Sequence, residues 1–191
     1  TSTIIDGMQA GKVITANNVG GTTVFDGFTV TNGSFGDGSG MYNVNFACPT
    51  VANCTFMNNF AGVAGGCGMC NEYHSSPTIT NCTFMNNSAW YGGGIYNNEG
   101  ASPTITNCTF INNSGTYGGG MFNQVVDASL TITNCTFMNN SASGDGGGMY
   151  QSNHASPTIT NCTFINNSAV NSGAAVYNSN SAPTITNCIM W

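Results

Sequence analysis

Residues 76–98 read SPTITNCTFMNNSAWYGGGIYNN, and near-copies begin again at Ser102, Ser129 and Ser156. Within this stretch TIT and CTF alternate residue by residue, with β-branched and aromatic types enriched, which is the period of a strand. GGGIYN supplies a third short strand after a glycine bend. The intervening Asn and Gly are turn formers, because both tolerate left-handed backbone angles. Pro77, Pro103, Pro157 and Pro183 open the TIT segment, where a missing N–H is tolerated. No segment carries a 3.6-residue period with caps, so no helix is expected.

The cysteine of this arm recurs at 54, 82, 108, 135, 162 and 188, at intervals of 28, 26, 27, 27 and 26 residues. A fixed period in this range marks a repeat architecture. Three strands and three turns in about 27 residues make one coil of a parallel β-solenoid, whose coils stack at roughly 4.8 Å and bury a continuous core. Like then lies over like. Ile79, Ile105, Ile132, Ile159 and Ile185 form one inward ladder, and Phe56, Phe84, Phe110, Phe137 and Phe164 a second. The six cysteines form a third, and Met41, Met69, Ile95, Met121, Met149 and Val176 a fourth. Asn53, Asn81, Asn107, Asn134, Asn161 and Asn187 fall at a bend, where stacked amides hydrogen-bond along the axis. The expectation is one all-β domain over 1–191, about seven coils and roughly 35 Å long. Residues 48–191 are its regular repeats, and 1–47 are shorter, degenerate coils. There FTVTN places Thr29, Thr31 and Asn32 on the later TITN, without a CTF arm. Asp6-Gly7 and Asp26-Gly27 mark a shared shape.

Composition narrows the function. Of 191 residues only 4% are charged, with one lysine, Lys12, no arginine and a net charge of −6, while 40% are hydrophobic. Displacing counterions from a phosphate backbone or adhering to an anionic bilayer needs basic residues, so nucleic acid and acidic membrane surfaces are excluded as partners. No apolar run approaches the roughly 18 residues of a membrane span. The chain opens at Thr1 and reads as a mature chain or as a fragment of a longer one.

FMNN and FINN followed by GGGI or GGGM resemble the paired F-x-x-N and G-G-A-I repeats of the chlamydial polymorphic outer membrane proteins. They are similar also to the wider class of secreted, right-handed parallel β-helix proteins of pectin-lyase-like fold. The similarity runs over about residues 22–191, with Gly in place of the motif's alanine except in the GAAV of 173–176. It implies an exported, extracellular or surface-associated solenoid and brings no catalytic residues with it.

An enzyme on this fold would cut a polysaccharide and would need clustered carboxylates. The acids are Asp6, Asp26, Asp37, Glu72, Glu99, Asp127 and Asp145. Glu72, Glu99 and Asp127 alone fall at similar places, in the loop after GGGIYN. With no arginine and Lys12 distant in sequence, no enzyme is expected and no cofactor is implied. Cys67, Cys70 and His74 spell C-x-x-C-x-x-x-H and are the candidate metal ligands, but the second pair that a zinc site wants is missing. A disulfide among Cys48, Cys67 and Cys70 is the competing reading in an exported chain. The six-rung column reads as small apolar core residues. The sequons in NCT and NNS are explained by ladder positions and need no sugar.

The outward columns are the candidate binding face. Thr29, Thr50, Thr78, Thr104, Thr131, Thr158 and Thr184 share one position. Thr31, Thr80, Thr106, Thr133, Thr160 and Thr186 share the next, and Thr55, Thr83, Thr109, Thr136 and Thr163 make a third row. T-x-T puts two hydroxyls on one strand face, about 7 Å apart. Such a lattice resembles the ice-binding face of β-solenoid antifreeze proteins; high β-propensity explains the same threonines without a ligand. The column Tyr42, Cys70, Tyr96, Phe122, Tyr150 and Tyr177 is either an outward sugar-stacking face or core, since Gly-rich bends break the parity. The expected function is a structural or adhesive scaffold that stacks end to end with copies of itself, because open sheet edges invite pairing. Ice and glycan are the alternative partners.

Overall fold

The computed structural model describes residues 3–63, 65–124 and 130–191. Its strands stack into three long parallel sheets of eight, seven and seven strands, with a fourth of three. No helix occurs among the described residues, and no helix there is long and apolar enough to cross a membrane. Each coil runs through four stations. In the coil quoted above these are the Thr sheet (Thr78–Thr80), the Phe sheet (Thr83–Met85), a short segment at Ser88, and the Met sheet (Ile95–Asn98). Later coils widen the Ser88 station into a small Ser sheet, at Ser114–Gly115, Ser141–Ala142 and Ser168–Ala169.

Register is like over like throughout the regular repeats. Ile105 lies on Ile79 and under Ile132, and Phe110 lies between Phe84 and Phe137. Phe56, Phe84, Phe110, Phe137 and Phe164 are almost wholly buried, with neighbouring rings 4.5–5.0 Å apart and within 7° of parallel. The Ile, Cys and Met ladders join them in one core. Tight coils need the second and third glycines of GGG. A Cβ on Gly94 would lie 2.5 Å from the Gly120 carbonyl oxygen and 2.8 Å from the Phe110 ring.

The asparagines divide by role. Asn53, Asn81, Asn107, Asn134, Asn161 and Asn187 turn the chain between the Thr and Phe sheets with φ of 52–55°. This is the left-handed region that Asn enters more readily than other side-chain-bearing residues. Their exposed amides form the expected ladder, Asn81 donating to Asn53, Asn107 to Asn81 and Asn134 to Asn107 at 3.2–3.3 Å. Asn58, Asn86, Asn112, Asn139 and Asn166 make a second left-handed bend after the Phe sheet.

The next residue along turns inward, and sequence reading missed it. Asn59, Asn87, Asn113, Asn140 and Asn167 are buried. The Oδ1 of Asn113 accepts from both the backbone N–H and the side-chain amide of Asn87, at 3.1 and 3.0 Å. Its own Nδ2 donates to Phe84 O and to Asn140 Oδ1. A second inner ladder runs up the Met sheet, Asn43 donating to Asn71, Asn71 to Asn97, Asn97 to Asn123 and Asn123 to Gln151, at 2.7–2.9 Å. It ends in a buried Oδ1 on Asn43 and a buried Nε2 on Gln151, neither with a partner among the described residues.

The N-terminal register differs from the expectation. Phe28–Thr31 pairs with Thr55–Met57, so Thr29 lies on Thr55 and Val30 on Phe56. The segment is therefore the CTF arm that was expected to be missing, and Thr29 and Thr31 leave the two Thr columns. Val30 fills the Phe ladder, and Asn32 adopts the left-handed bend at φ 56°. The Thr sheet instead continues through Val24–Asp26, with Val24 under Thr50 and Asp26 under Ala52. Asp6 lies beside Thr31 and is not in register with Asp26. Each of these aspartates accepts from an amide of the next coil, Asn32 to Asp6 at 3.0 Å and Asn53 to Asp26 at 2.7 Å.

The two kinds of asparagine differ in cost. Asn113→Ala leaves the buried Asn87 N–H without an acceptor and breaks the ladder, and should destabilise by about 3 kcal/mol. Asn107→Gly keeps the left-handed bend and loses two exposed, long bonds, and should change stability by about 1 kcal/mol or less. Urea midpoints at unchanged m-value would measure both; equal losses would contradict the division of roles.

Candidate functional site

The Thr sheet turns its hydroxyls outward in two columns. Thr78, Thr104, Thr131, Thr158 and Thr184 stand in register, as do Thr80, Thr106, Thr133, Thr160 and Thr186. The first column is mostly exposed and the second mostly half-buried, while the isoleucine between them is inside except in the last coil, where Ile185 is exposed. Strand alternation causes this, and no charged side chain interrupts either column over these rungs. Thr55, Thr83, Thr109, Thr136 and Thr163 form the third row, on the outer face of the Phe sheet. Beside it runs a row that sequence reading passed over: Met57, Met85, Ile111, Met138 and Ile165, half-buried on that same face.

The aromatic column lies outside the tube and yet is covered. Cys70, Tyr96 and Phe122 are buried in a small second core with Tyr42, Tyr91, Tyr117 and Tyr150. Tyr91 and Tyr117, from the segment leading into GGG, fold over the column; the Tyr91 ring lies 5.8 Å from Tyr96 and 5.1 Å from Phe122. The parity of IYN does hold, with Ile95 inward and Tyr96 outward, but a long loop roofs the outer face. No motif at Tyr91 announced that.

At the N-terminal end of this column sits the chain's single lysine. Lys12 Nζ lies 3.6 Å from the centroid of the Tyr42 ring, and the Tyr42 hydroxyl donates to Glu72 Oε2 at 2.8 Å. Burial, and then the bond to Glu72, push the Tyr42 hydroxyl up, so it remains a donor. Of the expected acidic trio, Glu72 is thus buried against Tyr42. Glu99 stands exposed in a left-handed turn, and Asp127 lies outside the described residues. Asp37 is also occupied, its Oδ1 accepting from the Gly65 N–H at 2.7 Å.

The candidate metal ligands are not brought together. Cys67 is buried between Ala61 and Ala89, Cys70 belongs to the aromatic core, and His74 stacks on Phe46 with centroids 5.4 Å apart. No group of three or more His, Cys, Asp or Glu that could hold a metal exists among the described residues. All nine cysteines stand as free thiols, so the competing reading of a disulfide among Cys48, Cys67 and Cys70 is not the arrangement adopted. Strand alternation explains it: Cys67 takes the place of Gly93 over the Ser station, while Cys70 takes the outward place of Tyr96.

In the cysteine ladder each thiol points to carbonyl oxygens of its own coil and the one before, as Cys82 does to Thr80 at 3.3 Å and Val51 at 3.5 Å. A thiolate on Cys82 or Cys135 would collect hydrogen bonds from the thiols on either side, which favours those two over their neighbours. The same coupling, with burial, pushes Cys54, Cys108 and Cys162 up. No cation stands beside the column, so desolvation keeps it neutral. Burial alone pushes Cys67 up to about 12.

Two open depressions lie on the surface. One, of about 350 Å³, lies at His154, Ser156, Asn180, Ser181 and Ala182. The other, of about 300 Å³, crosses the Ser sheet beside Trp90.

A coil of three parallel sheets, repeated with like side chains over like, is the architecture that a family comparison can decide. Residues 2–190 match the family described as the right handed beta helix region. The chain belongs to the right-handed β-helix family. No match was found among curated proteins or among solved structures.

In this β-helix the thiols should report the burial directly. Iodoacetamide applied to the folded protein should modify Cys48 and Cys188, the two part-exposed cysteines. The other seven should react only after denaturation, as mapped by peptide mass spectrometry. Labelling of Cys82 or Cys135 in the folded state would refute the neutral, buried ladder.

Proposed function

We propose that this β-helix is a non-enzymatic structural repeat segment, exported to the cell exterior, where it serves as a sparsely charged, rigid rod that holds surface at a distance. The polymorphic outer membrane protein repeats, which its F-x-x-N and G-G-x-I pairs resemble, suggest that setting. The observation that carries the reading is the employment of the acids. Asp6, Asp26, Asp37 and Glu72 each accept a hydrogen bond that ties one part of the coil stack to another. Carboxylates engaged in these bonds are employed in holding the stack, where glycosidic cleavage needs a pair free to give up and take up a proton. The lone lysine is likewise occupied, against Tyr42. Association end to end with further copies extends the same rule of like over like and belongs to this proposal; light scattering across a concentration series tests it.

The outward threonines favour a second reading, ice binding, because two uncharged columns in register over five coils form a flat hydroxyl and methyl lattice. Two measurements separate the readings. On the first, the folded protein releases no reducing ends and no unsaturated products from neutral or acidic polysaccharides, and cleavage that disappears in Glu72→Gln would overturn it. On the second, the protein shows thermal hysteresis, and Thr106→Lys with Thr133→Lys removes it while the melting temperature stays within a few degrees. Folded protein that neither shapes ice nor depresses freezing ends the second reading.

A further inference from the structure

The groove across the Ser sheet is used by neither of these readings. Trp90 forms its wall, 42% exposed. Ser88, Ser114 and Ser141 supply one row of hydroxyls along it, stacked on successive coils. Thr116 and Ser143 supply another. The floor is Ala89 and Gly115, too small to fill the space. Trp90 is held from behind, its carbonyl accepting from the N–H groups of Thr116 and Tyr117 at 2.9 and 3.1 Å. The next residue, Tyr91, points into the aromatic core, which fixes the turn that sets the indole outward.

The chemistry of the lining selects its occupant. An aromatic plane wants an apolar surface against it, and a row of hydroxyls wants donors and acceptors. A purely apolar ligand would cover those hydroxyls without replacing their water, which costs binding. An anionic ligand finds no cation, since the lining is uncharged and the one lysine is engaged at Tyr42. A pyranose has both required faces, C–H groups on one side and hydroxyls at its edge. The rows repeat with the coils, about every 4.8 Å, so they present the same groups again to successive units of a chain. A volume of about 300 Å³ is at the small end of ligand sites.

We propose that this groove binds a neutral carbohydrate chain, with the Trp90 ring against the C–H face of one sugar and the hydroxyls of Ser88, Ser114 and Ser141 along its O–H edge. The site gives the rod a grip on neutral polysaccharide and does not depend on the rod's other roles.

The test uses the full chain carrying Trp191→Phe, which leaves Trp90 as its one tryptophan. Neutral gluco-, xylo-, manno- and N-acetylglucosamine oligosaccharides are titrated through the millimolar range, with an oligouronate as the acidic control. At least one neutral series should change Trp90 fluorescence saturably and retain the protein on the immobilised glycan. Trp90→Ala, in the parent chain with its melting temperature checked, should weaken that retention on the order of tenfold or more. Ser114→Phe, which fills the groove from its row of hydroxyls, should abolish it. No saturable response to any neutral series, retention undiminished in both variants, or equal binding of the oligouronate would each overturn the proposal. Absence of binding leaves the structural reading standing, whereas cleavage of the glycan would remove that reading instead.

Discussion

The stack rests on the demand of a buried side-chain amide for an identical amide one coil away. Asn87 shows it in full: its backbone N–H and its Nδ2 both need the Oδ1 of Asn113, and Nδ2 also reaches Phe56 O. A buried amide without such partners costs more than the bond returns when made. Sliding one coil by a residue would put Asn112 or Ser114 where Asn113 stands and orphan several of these groups at once. Apolar ladders alone would tolerate such a slip far better, since Ile, Phe and Met fill similar space. The hydrophobic core supplies the drive to stack, and the inner asparagines fix the register.

This division explains a composition that looks unlike that of a globular protein. Polar residues are used inside, as rails, and at corners, as bends, in nearly every coil. The outer strand faces then need only to be compatible with water and with their own neighbours above and below. Like charges stacked every coil would repel along the whole rod, whereas Thr over Thr does not. The scarcity of charge follows from repetition itself, before any partner is considered.

Much of this was legible because it is periodic. The coil length, the Ile, Phe, Cys and Met ladders and the bend at Asn53 and its equivalents follow from residue types recurring at one spacing. The pair of asparagines in FMNN hid its meaning, since two adjacent identical letters do not reveal that Asn86 bends outward while Asn87 turns in. The N-terminal register was misread for a related reason. FTVTN matches TITN by letter, but Val30 has the inward place of Phe56, and spacing to Thr55 outweighs the likeness of the string. Where loops vary, nothing periodic remained to read. The Tyr91 roof over the aromatic column and the wall formed by Trp90 depend on a segment whose spelling changes from coil to coil. Cys67, Cys70 and His74 looked like a ligand set in one dimension, yet strand alternation sends the two thiols to different faces.

The two inner amide ladders share a sense: from Asn59 to Asn167 and from Asn43 to Gln151, each amide-to-amide bond runs from Nδ2 to the side-chain oxygen of the next coil toward the C-terminus. Backbone bonds between parallel strands also lie along the axis, but they alternate in direction and largely cancel. The side-chain dipoles do not. They add along the rod and polarise one another as hydrogen-bond chains do in a low-dielectric interior, opposed by solvent-screened amides that donate the other way, as Asn45 does to Asn17 and the row at the Asn53 bend does. The Met-sheet rail ends accordingly, with a bare acceptor at Asn43 and a bare donor at Gln151. The inner rails of this sparsely charged chain thereby have a polarity of their own, acceptor ends toward its first coils and donor ends toward its last, carried by neutral side chains.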